Sequence, residues 1–477
     1  MKDKIVFVSG RFNVIHPGHL RLLRFAKECG NRLIVAVESD RIAGDAAHVP
    51  EELRIEGVLS NTWVDEAFIF DEPVSMVISR LRPDIVVKGK EHELRFNPEM
   101  DALEEYGGIL LFSSGETIFS SLDLIRKEFQ ELDSRLISLP EEYLARHKIT
   151  ASRLAELLQR FLHLKVCVIG DLIIDEYITC QPLGMSQEDP TIVVTPIDST
   201  RFIGGAGIVA AHAAGLGASV HYISISGNDV AREFAVERLA AGGIKVSLLV
   251  DDSRPTTLKQ RYRCKGKSML RVSHLHEGAI SVPLQKKMLQ EVERAIENVD
   301  LLVFSDFNYG CLPQPMVDQI IKMAKSKGIM LAADSQSSSQ IGDISRFRGM
   351  DLLTPTEREA RISTRNREDG LVILAEQLRK QASAHNILLK LGEEGLLIHA
   401  GNGKAEDWLT DRVDALNSAP KDVAGAGDSL LITSAMTLAC GGSIWESAIL
   451  GSLAAAVQVG RVGNKPIQSH ELLDEIK

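Results

Sequence analysis

The chain has 477 residues, which at ~150 residues per domain points to about three domains, or to one large and one small. Its 44% hydrophobic, 25% charged and 5% aromatic content is ordinary for a globular enzyme. Lys+Arg 54 against Asp+Glu 65 leaves a net charge of −11, which removes the bulk attraction a general nucleic-acid binder needs.

No membrane partner is expected either. No run approaches the ~20 apolar residues of a membrane span, and Met1 to Gly10 lacks the longer apolar region of a signal peptide. Cysteines stand at 29, 167, 180, 264, 311 and 440 without a CxxC pair. That spacing argues against a disulfide framework and a structural zinc site, and together these features point to the cytoplasm.

Lys4 to Ser9 (KIVFVS) opens the chain as an apolar, β-branched run that suits a strand buried on both faces. A helix is expected from Gly18 to Gly30, then strands at Arg32 to Val37, Asp84 to Val87 and Gly108 to Phe112. This alternation predicts an α/β domain over residues 1–130. From Leu124 to Phe161 the sequence turns charged and helical, with Pro140 as a break, so residues 131–163 are expected to be a helical linker. A second α/β domain is expected over 164–477, with strands at Lys165 to Gly170, Leu301 to Phe304, Met330 to Ala333, Leu352 to Leu353 and Ile387 to Leu391. Within it, Thr191 to Arg201 and Thr256 to Val272 alternate polar and apolar residues, the pattern of a small half-exposed sheet.

Two constellations carry chemistry. Ser9 to His19 reads SGRFNVIHPGH: a strand ends, Gly10 and Phe12 follow, and His16 and His19 flank Pro17-Gly18 where a helix begins. Histidines three apart on a first helical turn point to one side. Backbone N–H groups at a helix start favour an anion such as a triphosphate, and the imidazoles can stabilise charge developing on a pentavalent phosphorus. An isolated HxxH is more often a pair of surface histidines; its place directly after the first strand argues for the site.

Near the carboxyl end, Asp422 to Asp428 reads DVAGAGD and precedes an apolar helical run, Ser429 to Ala439. Gly425, Ala426 and Gly427 can converge their N–H groups into an anion-binding nest. A carboxylate beside bound phosphate is repelled as a mere ligand, so Asp428 reads as a general base for a hydroxyl attacking a phosphoryl group. The heptapeptide alone is as well explained by a capping aspartate. Other polar groups fall at expected strand ends: Asp171 and Asp175 after Gly170, the turn at Gly204 and Gly205, Asp306, Asp334, and LTPTERE from Leu353 to Glu359.

GRFNVIHPGH resembles the HxGH motif of the cytidylyltransferase-like nucleotidyltransferases. PDIVVKG (Pro83 to Gly89) and FSSLDLIR (Phe119 to Arg126) resemble that family's later motifs. The resemblance implies a Rossmann-like domain with His16 and His19 catalytic. Gly10, Phe12, Gly18, Lys88, Ser120 and Ser121 would contact nucleotide or phosphate. Asn13 stands where that family usually has Asp, the stretch after Asp40 is less basic than its lysine-bearing loop, and Arg54 is expected to supply the remaining cation.

The second constellation, in its order along the chain, resembles the ribokinase-like sugar kinases, the projecting sheet matching their lid. This implies Asp428 as base, with Thr356, Glu359, Lys390, Gly392, Gly425, Ala426 and Gly427 on the nucleotide. Asp171, Gly204, Gly205 and Asp306 would lie on the sugar, and Glu359 would hold Mg2+ through water. Ile208 occupies the slot of an Asn in the sugar turn, Thr356 that of an Asn, and Gln336 that of a lysine.

Both domains in one chain resemble the bifunctional heptose-7-phosphate kinase/heptose-1-phosphate adenylyltransferases of bacterial lipopolysaccharide precursor synthesis, with the domain order reversed. The implied fold class is α/β: an N-terminal Rossmann-like nucleotidyltransferase and a C-terminal ribokinase-like domain with a small β lid. The implied chemistry is ATP-dependent phosphorylation of a sugar phosphate and nucleotidyl transfer to a sugar 1-phosphate. The alternation of the projecting sheet leaves an apolar face, through which a homodimer is expected. Two alternatives stay open: an active nucleotidyltransferase beside a kinase-like domain that only binds or dimerises, and a nucleotide sensor without turnover.

Overall fold

The computed structural model describes residues 4–13, 15, 17–44, 47, 49–89, 97–113, 137–264, 267–337, 342–401 and 408–476. The chain divides into two compact units, the first Met1–Ser134 with Asn366–Gln377 and the second Arg135–Arg365 with Leu378–Lys477. Among the described residues, no helix is long and apolar enough to cross a membrane.

The first unit is built on five strands: β1 (Ile5–Gly10), β2 (Arg32–Glu38), β3 (Glu66–Phe70), β4 (Ile85–Gly89) and β5 (Ile109–Ser113). They form one parallel sheet in the order β3-β2-β1-β4-β5. Phe7, Ile34, Ala36 and Val86 pack with Phe70, Val77 and Ile78 in its core. Strand order reverses at β1, and open α/β sheets bind ligands beside such a reversal, at the strand carboxyl ends. The helix Pro17–Glu28 starts there.

The second unit carries β6 (Lys165–Gly170), β7 (Leu172–Met185), β8 (Ile192–Gly205), β9 (Ser219–Ser226), β10 (Lys245–Val250), β11 (Thr257–Cys264) and β12 (Lys267–His274). It continues with β13 (Leu301–Asp306), β14 (Met330–Ser335), β15 (Leu352–Leu353), β16 (Asn386–Lys390), β17 (Leu396–Gly401) and β18 (Trp408–Val413). The main sheet runs β10-β9-β6-β13-β14-β15-β16-β17-β18. It is parallel up to β16 and antiparallel beyond. β6 and β13 are buried almost throughout, as strands covered by helices on both faces must be. Here the reversal lies at β6, so Gly170, Asp306, Ser335 and Lys390 end their strands along one rim.

The projecting sheet has four strands in the order β12-β11-β7-β8, one more than the two segments read from sequence require. Its strand β7 begins inside the unit and ends exposed. The expected half-exposed character differs in detail: most of β8 before Phe202 is exposed on both faces.

Residues 131–163 were expected to be a helical linker. Their described part holds the helices Glu141–Arg146 and Ala151–Arg160, with Pro140 capping the first. Tyr143, Leu154, Leu157, Leu158 and Phe161 join the second unit's core, alongside Ala448, Ile449 and Leu472. The amphipathic spacing of these residues makes them part of that unit rather than a spacer.

Candidate active sites

In the second unit, the helix Ala426–Ala439 begins at Gly425, whose φ of 78° is the left-handed region glycine tolerates. Asp428 lies in its first turn, 5% exposed. Gln336, on the loop after β14, donates from Nε2 to Asp428 Oδ1 at 3.3 Å. Lys390 Nζ donates to Asp334 Oδ2 at 2.8 Å, and a Cβ added at Gly427 would come within 3.3 Å of that ammonium. The anion nest therefore has a cation beneath it. Burial, reinforced by Asp334 and Asp175 and opposed by Lys390, pushes the Asp428 carboxyl up to about 7. Burial likewise lifts Asp334 to about 6 against the pull of Lys390. Burial works against the charge of Lys390, yet Asp334, Glu359 and Asp428 together raise its pKa.

Thr356 and Glu359 form a reciprocal cap on the helix Glu357–Thr364. Glu359 Oε2 accepts from Thr356 N at 2.7 Å and Oε1 from Ser337 N at 3.0 Å. Thr356 pairs with Lys390 as an isolated parallel bridge. Gly392, with φ 65°, starts the 3-10 turn after β16.

The carboxylates expected on the sugar differ from one another in how far the scaffold engages them. Asp171 accepts from the backbone N–H groups of Phe307 at 2.8 Å, Tyr309 at 3.4 Å and Cys311 at 3.3 Å, so it shapes the loop after β13. Burial and the charge of Asp306 raise it to about 6. Asp306 Oδ2 accepts from Ser335 Oγ and Arg346 Nη2, both at 2.8 Å. Both residues are tied to the scaffold. Asp175, at the root of the lid, adds to Asp334 in raising the Asp428 carboxyl. It is 6% exposed, and its Oδ1 makes no hydrogen bond among the described residues. A Cβ at Gly204 would sit 2.4 Å from Asp175 Oδ2, which is why that turn needs glycine. Gly205, with φ 58°, then opens the helix Ala206–Gly215. Ile208 is fully buried in the apolar core.

A row of cations faces Asp175. Lys259, Arg261 and Arg263 alternate along β11, and Arg271 on β12 pairs with Arg261. Arg261 Nη2 lies 3.7 Å from Asp175 Oδ1, and Lys259 and Arg271 also favour its charged form. The Lys259 ammonium sits 5.2 and 5.1 Å from the Phe307 and Tyr309 ring centres. The net negative total hides this row; the signal for it was every-second-residue spacing within a strand.

In the first unit, β1 ends at Gly10, and Phe12 (φ 51°) is buried with its ring centre 5.0 Å from that of His19. A Cβ at Gly10 would meet that ring at 3.3 Å. Gly18 and His19 lie in the first turn of the helix Pro17–Glu28. His16, Ser120 and Ser121 lie outside the described residues. Lys88 Nζ is 2.8 Å from Glu99 Oε1, a pair mostly shielded from water. Arg54 was expected to meet phosphate. Its fully buried guanidinium instead donates to Val49 O at 2.8 Å, Arg11 O at 2.7 Å and Asp40 Oδ1 at 2.5 Å, pinning the loop after β1.

Residues 163–469 match the family profile described as pfkB family carbohydrate kinase. The chain belongs to the pfkB family of carbohydrate kinases. Residues 7–114 match the cytidylyltransferase-like family, so this pfkB-family chain carries a second transferase-type domain ahead of its kinase domain. It is similar to the bifunctional protein HldE of Helicobacter hepaticus, 31% identical over 319 residues, covering 65% of this chain and 64% of that protein. HldE of Desulfatibacillum aliphaticivorans is 30% identical over 321 residues, 66% of this chain and 64% of its own length. The chain thus spans less than two thirds of the length of these curated relatives.

Solved structures show the kinase fold. Escherichia coli phosphofructokinase-2 superposes with a TM-score of 0.54 at 18% identity, covering 66% of this chain and 98% of its own. Thermotoga maritima ribokinase gives 0.52 at 21%, covering 66% and 99%.

Proposed function

We propose that the pfkB-family unit transfers the γ-phosphoryl group of MgATP to the anomeric hydroxyl of a sugar phosphate, heptose 7-phosphate. The cytidylyltransferase-like unit transfers AMP from ATP to a sugar 1-phosphate, the two activities serving ADP-heptose synthesis in the cytoplasm. The observation that carries the kinase reading is Asp428 at about 7, set in the first turn above an open glycine nest. Asp428 takes the hydroxyl proton as the oxygen–phosphorus bond forms and the bond to ADP breaks. Gly425, Ala426, Gly427 and Lys390 hold the transferred charge. Asp175 orients the acceptor, and the Lys259, Arg261, Arg263 and Arg271 row suits the acceptor's own phosphate.

Asp334, Glu359 and Asp428 influence one another around the single ammonium of Lys390, a local excess of negative charge that fits a divalent cation. Among the described residues, no three ligating side chains converge on a metal. Glu359 would meet magnesium through water, as the resemblance to sugar kinases implies, the ion supplying charge neutralisation on the phosphates.

In the first unit, His19 with its neighbour Phe12, and His16, would steady the α-phosphate as a sugar phosphate oxygen attacks and pyrophosphate leaves. Gly10, Gly18, Lys88, Ser120 and Ser121 complete the proposed nucleotide contacts. The homodimer reading rests on the lid, where Leu183, Met185, Ile192 and Ile197 are exposed. A monomer in sedimentation at micromolar protein would remove it.

Phosphorus NMR of the intact chain with MgATP and D-glycero-D-manno-heptose 7-phosphate tests the kinase. ADP together with a new anomeric phosphate resonance supports it. The absence of turnover by folded protein returns the unit to a binding role, a reading favoured by the Gln336 amide occupying Asp428.

A further inference from the structure

We propose that Asn464 is a positioning residue of the kinase reaction, setting the acceptor carboxylate Asp175 against the phosphoryl-binding turn at Gly425. The assignment rests on the kinase reading of this unit. Asn464 stands on the loop after the helix Ile444–Val459 and is 7% exposed. Its Nδ2 donates to Asp175 Oδ2 at 3.4 Å. Its Oδ1 lies against Gly425, where an added Cβ would approach to 2.4 Å. That oxygen is buried and accepts no hydrogen bond among the described residues. The opposite amide orientation would turn the oxygen onto the Asp175 carboxylate, so the charge of Asp175 fixes the orientation observed.

The loop is held in place from three sides. Gly463 N donates to Asp422 Oδ2 at 3.1 Å, and Tyr177 of the lid donates its hydroxyl to the same oxygen at 2.9 Å. Asp422 Oδ1 accepts from Ala424 N at 3.2 Å, within the turn that forms the nest. Gln458 Nε2 donates to both Ala424 O and Gly463 O at 3.1 Å. The Phe202 ring fills the space beside Gly463 (φ 77°), where a Cβ would come within 2.4 Å. Acceptor carboxylate, lid and phosphoryl nest are thus joined through one short loop. Phosphoryl transfer needs the attacking oxygen in line with phosphorus, and an ångström of misplacement is costly. A buried carbonyl left unpaired calls for a reason; here it is the amide's other end, committed to Asp175.

The test uses the full chain with Asn464→Leu, which keeps the branched shape in a somewhat larger side chain and removes the donor, and Asn464→Asp, which is isosteric and adds a like charge beside Asp175. The acceptor KM should rise about tenfold in Asn464→Leu and more in Asn464→Asp, with the ATP KM within about twofold of wild type. Carbon-13 NMR of the Asp175 carboxyl, assigned with Asp175→Asn, gives a readout independent of turnover. Its titration midpoint should rise in Asn464→Leu, because a donor to the charged form is lost while burial, Arg261, Lys259, Arg271 and Asp422 still act on it. An unmoved midpoint overturns the assignment whatever the kinetics. Equal losses for both substrates reduce Asn464 to packing and overturn it too. Wild-type protein without turnover on any sugar phosphate would instead strike the proposed function, and the titration would still decide Asn464.

Discussion

The Lys390 ammonium donates to Asp334 at 2.8 Å and at the same time lies directly beneath Gly427, at the start of the helix that carries Asp428. One cation therefore has two neighbours: it compensates a carboxylate buried at 1% exposure and it underlies the glycine turn proposed to hold the transferred phosphoryl group. Lys390→Met should lower kcat about 10²–10³-fold, the usual effect of losing one preorganised donor to developing charge. Thermal unfolding should also shift downward, since Asp334 would be left buried without its partner. Unchanged kcat in folded Lys390→Met would remove Lys390 from the phosphoryl site.

The pH dependence follows from Asp428. The proposed base would work ionised, and burial pushes its carboxyl up to about 7. Kinase kcat/KM should therefore fall about tenfold per pH unit below ~7 and level off above it. Asp428→Asn should cost 10²–10⁴-fold in kcat and abolish that limb. A profile flat from pH 5 to 8 would sink the assignment.

In the first unit, Arg54 makes a structural prediction. Its side chain is fully buried, and its donors fix Arg11 O, Val49 O and Asp40. Arg54→Met should destabilise this unit by about 1–3 kcal/mol, measured by urea unfolding, because the hydrogen bonds of a fully buried guanidinium that pin this loop are lost. A direct phosphate contact would instead appear as a raised nucleotide KM with unchanged stability.

Elements covered on both faces were the most legible in the sequence. β6 and β15 have the limits expected, since a short apolar run between polar or turn residues, β-branched in β6, has few other solutions. β7 escaped because its first half obeys the burial of a core strand and its second half the exposure of a lid. β9 (SVHYISIS) escaped because His221 and two buried serines interrupt its apolar run. The proposed base Asp428 and the glycine turn before it could be read as a unit because they occupy seven consecutive residues. The meeting of Asp175 with the β11 cations could not, since it depends on β7 pairing in parallel with β11, more than 80 residues away. Lys88 and Glu99, 11 residues apart, and Arg54 and Asp40, 14 apart, were hidden for another reason: their meeting depends on how the intervening chain turns back, which no regular spacing signals.

The helices once expected to link two domains make the last prediction. Arg146 Nε donates to Asp411 Oδ2 at 2.8 Å, and His147 Nε2 lies 2.6 Å from the same oxygen. The His147 ring stacks on Trp445 with centres 4.2 Å apart. Burial pushes the Asp411 carboxyl up, but His147 and Arg146 outweigh it and hold it below the usual value. A depressed carboxylate contributes stability that is present above its unfolded pKa, ~4, and lost as pH falls through its folded value. Asp411→Asn should therefore lose about 2 kcal/mol in the second unit's urea transition at pH 7. The difference from wild type should shrink as the pH is taken below ~4, where wild-type Asp411 gains its proton and resembles the amide. A helical segment serving only as a spacer would show no such loss, because nothing in the kinase core would depend on where it docks.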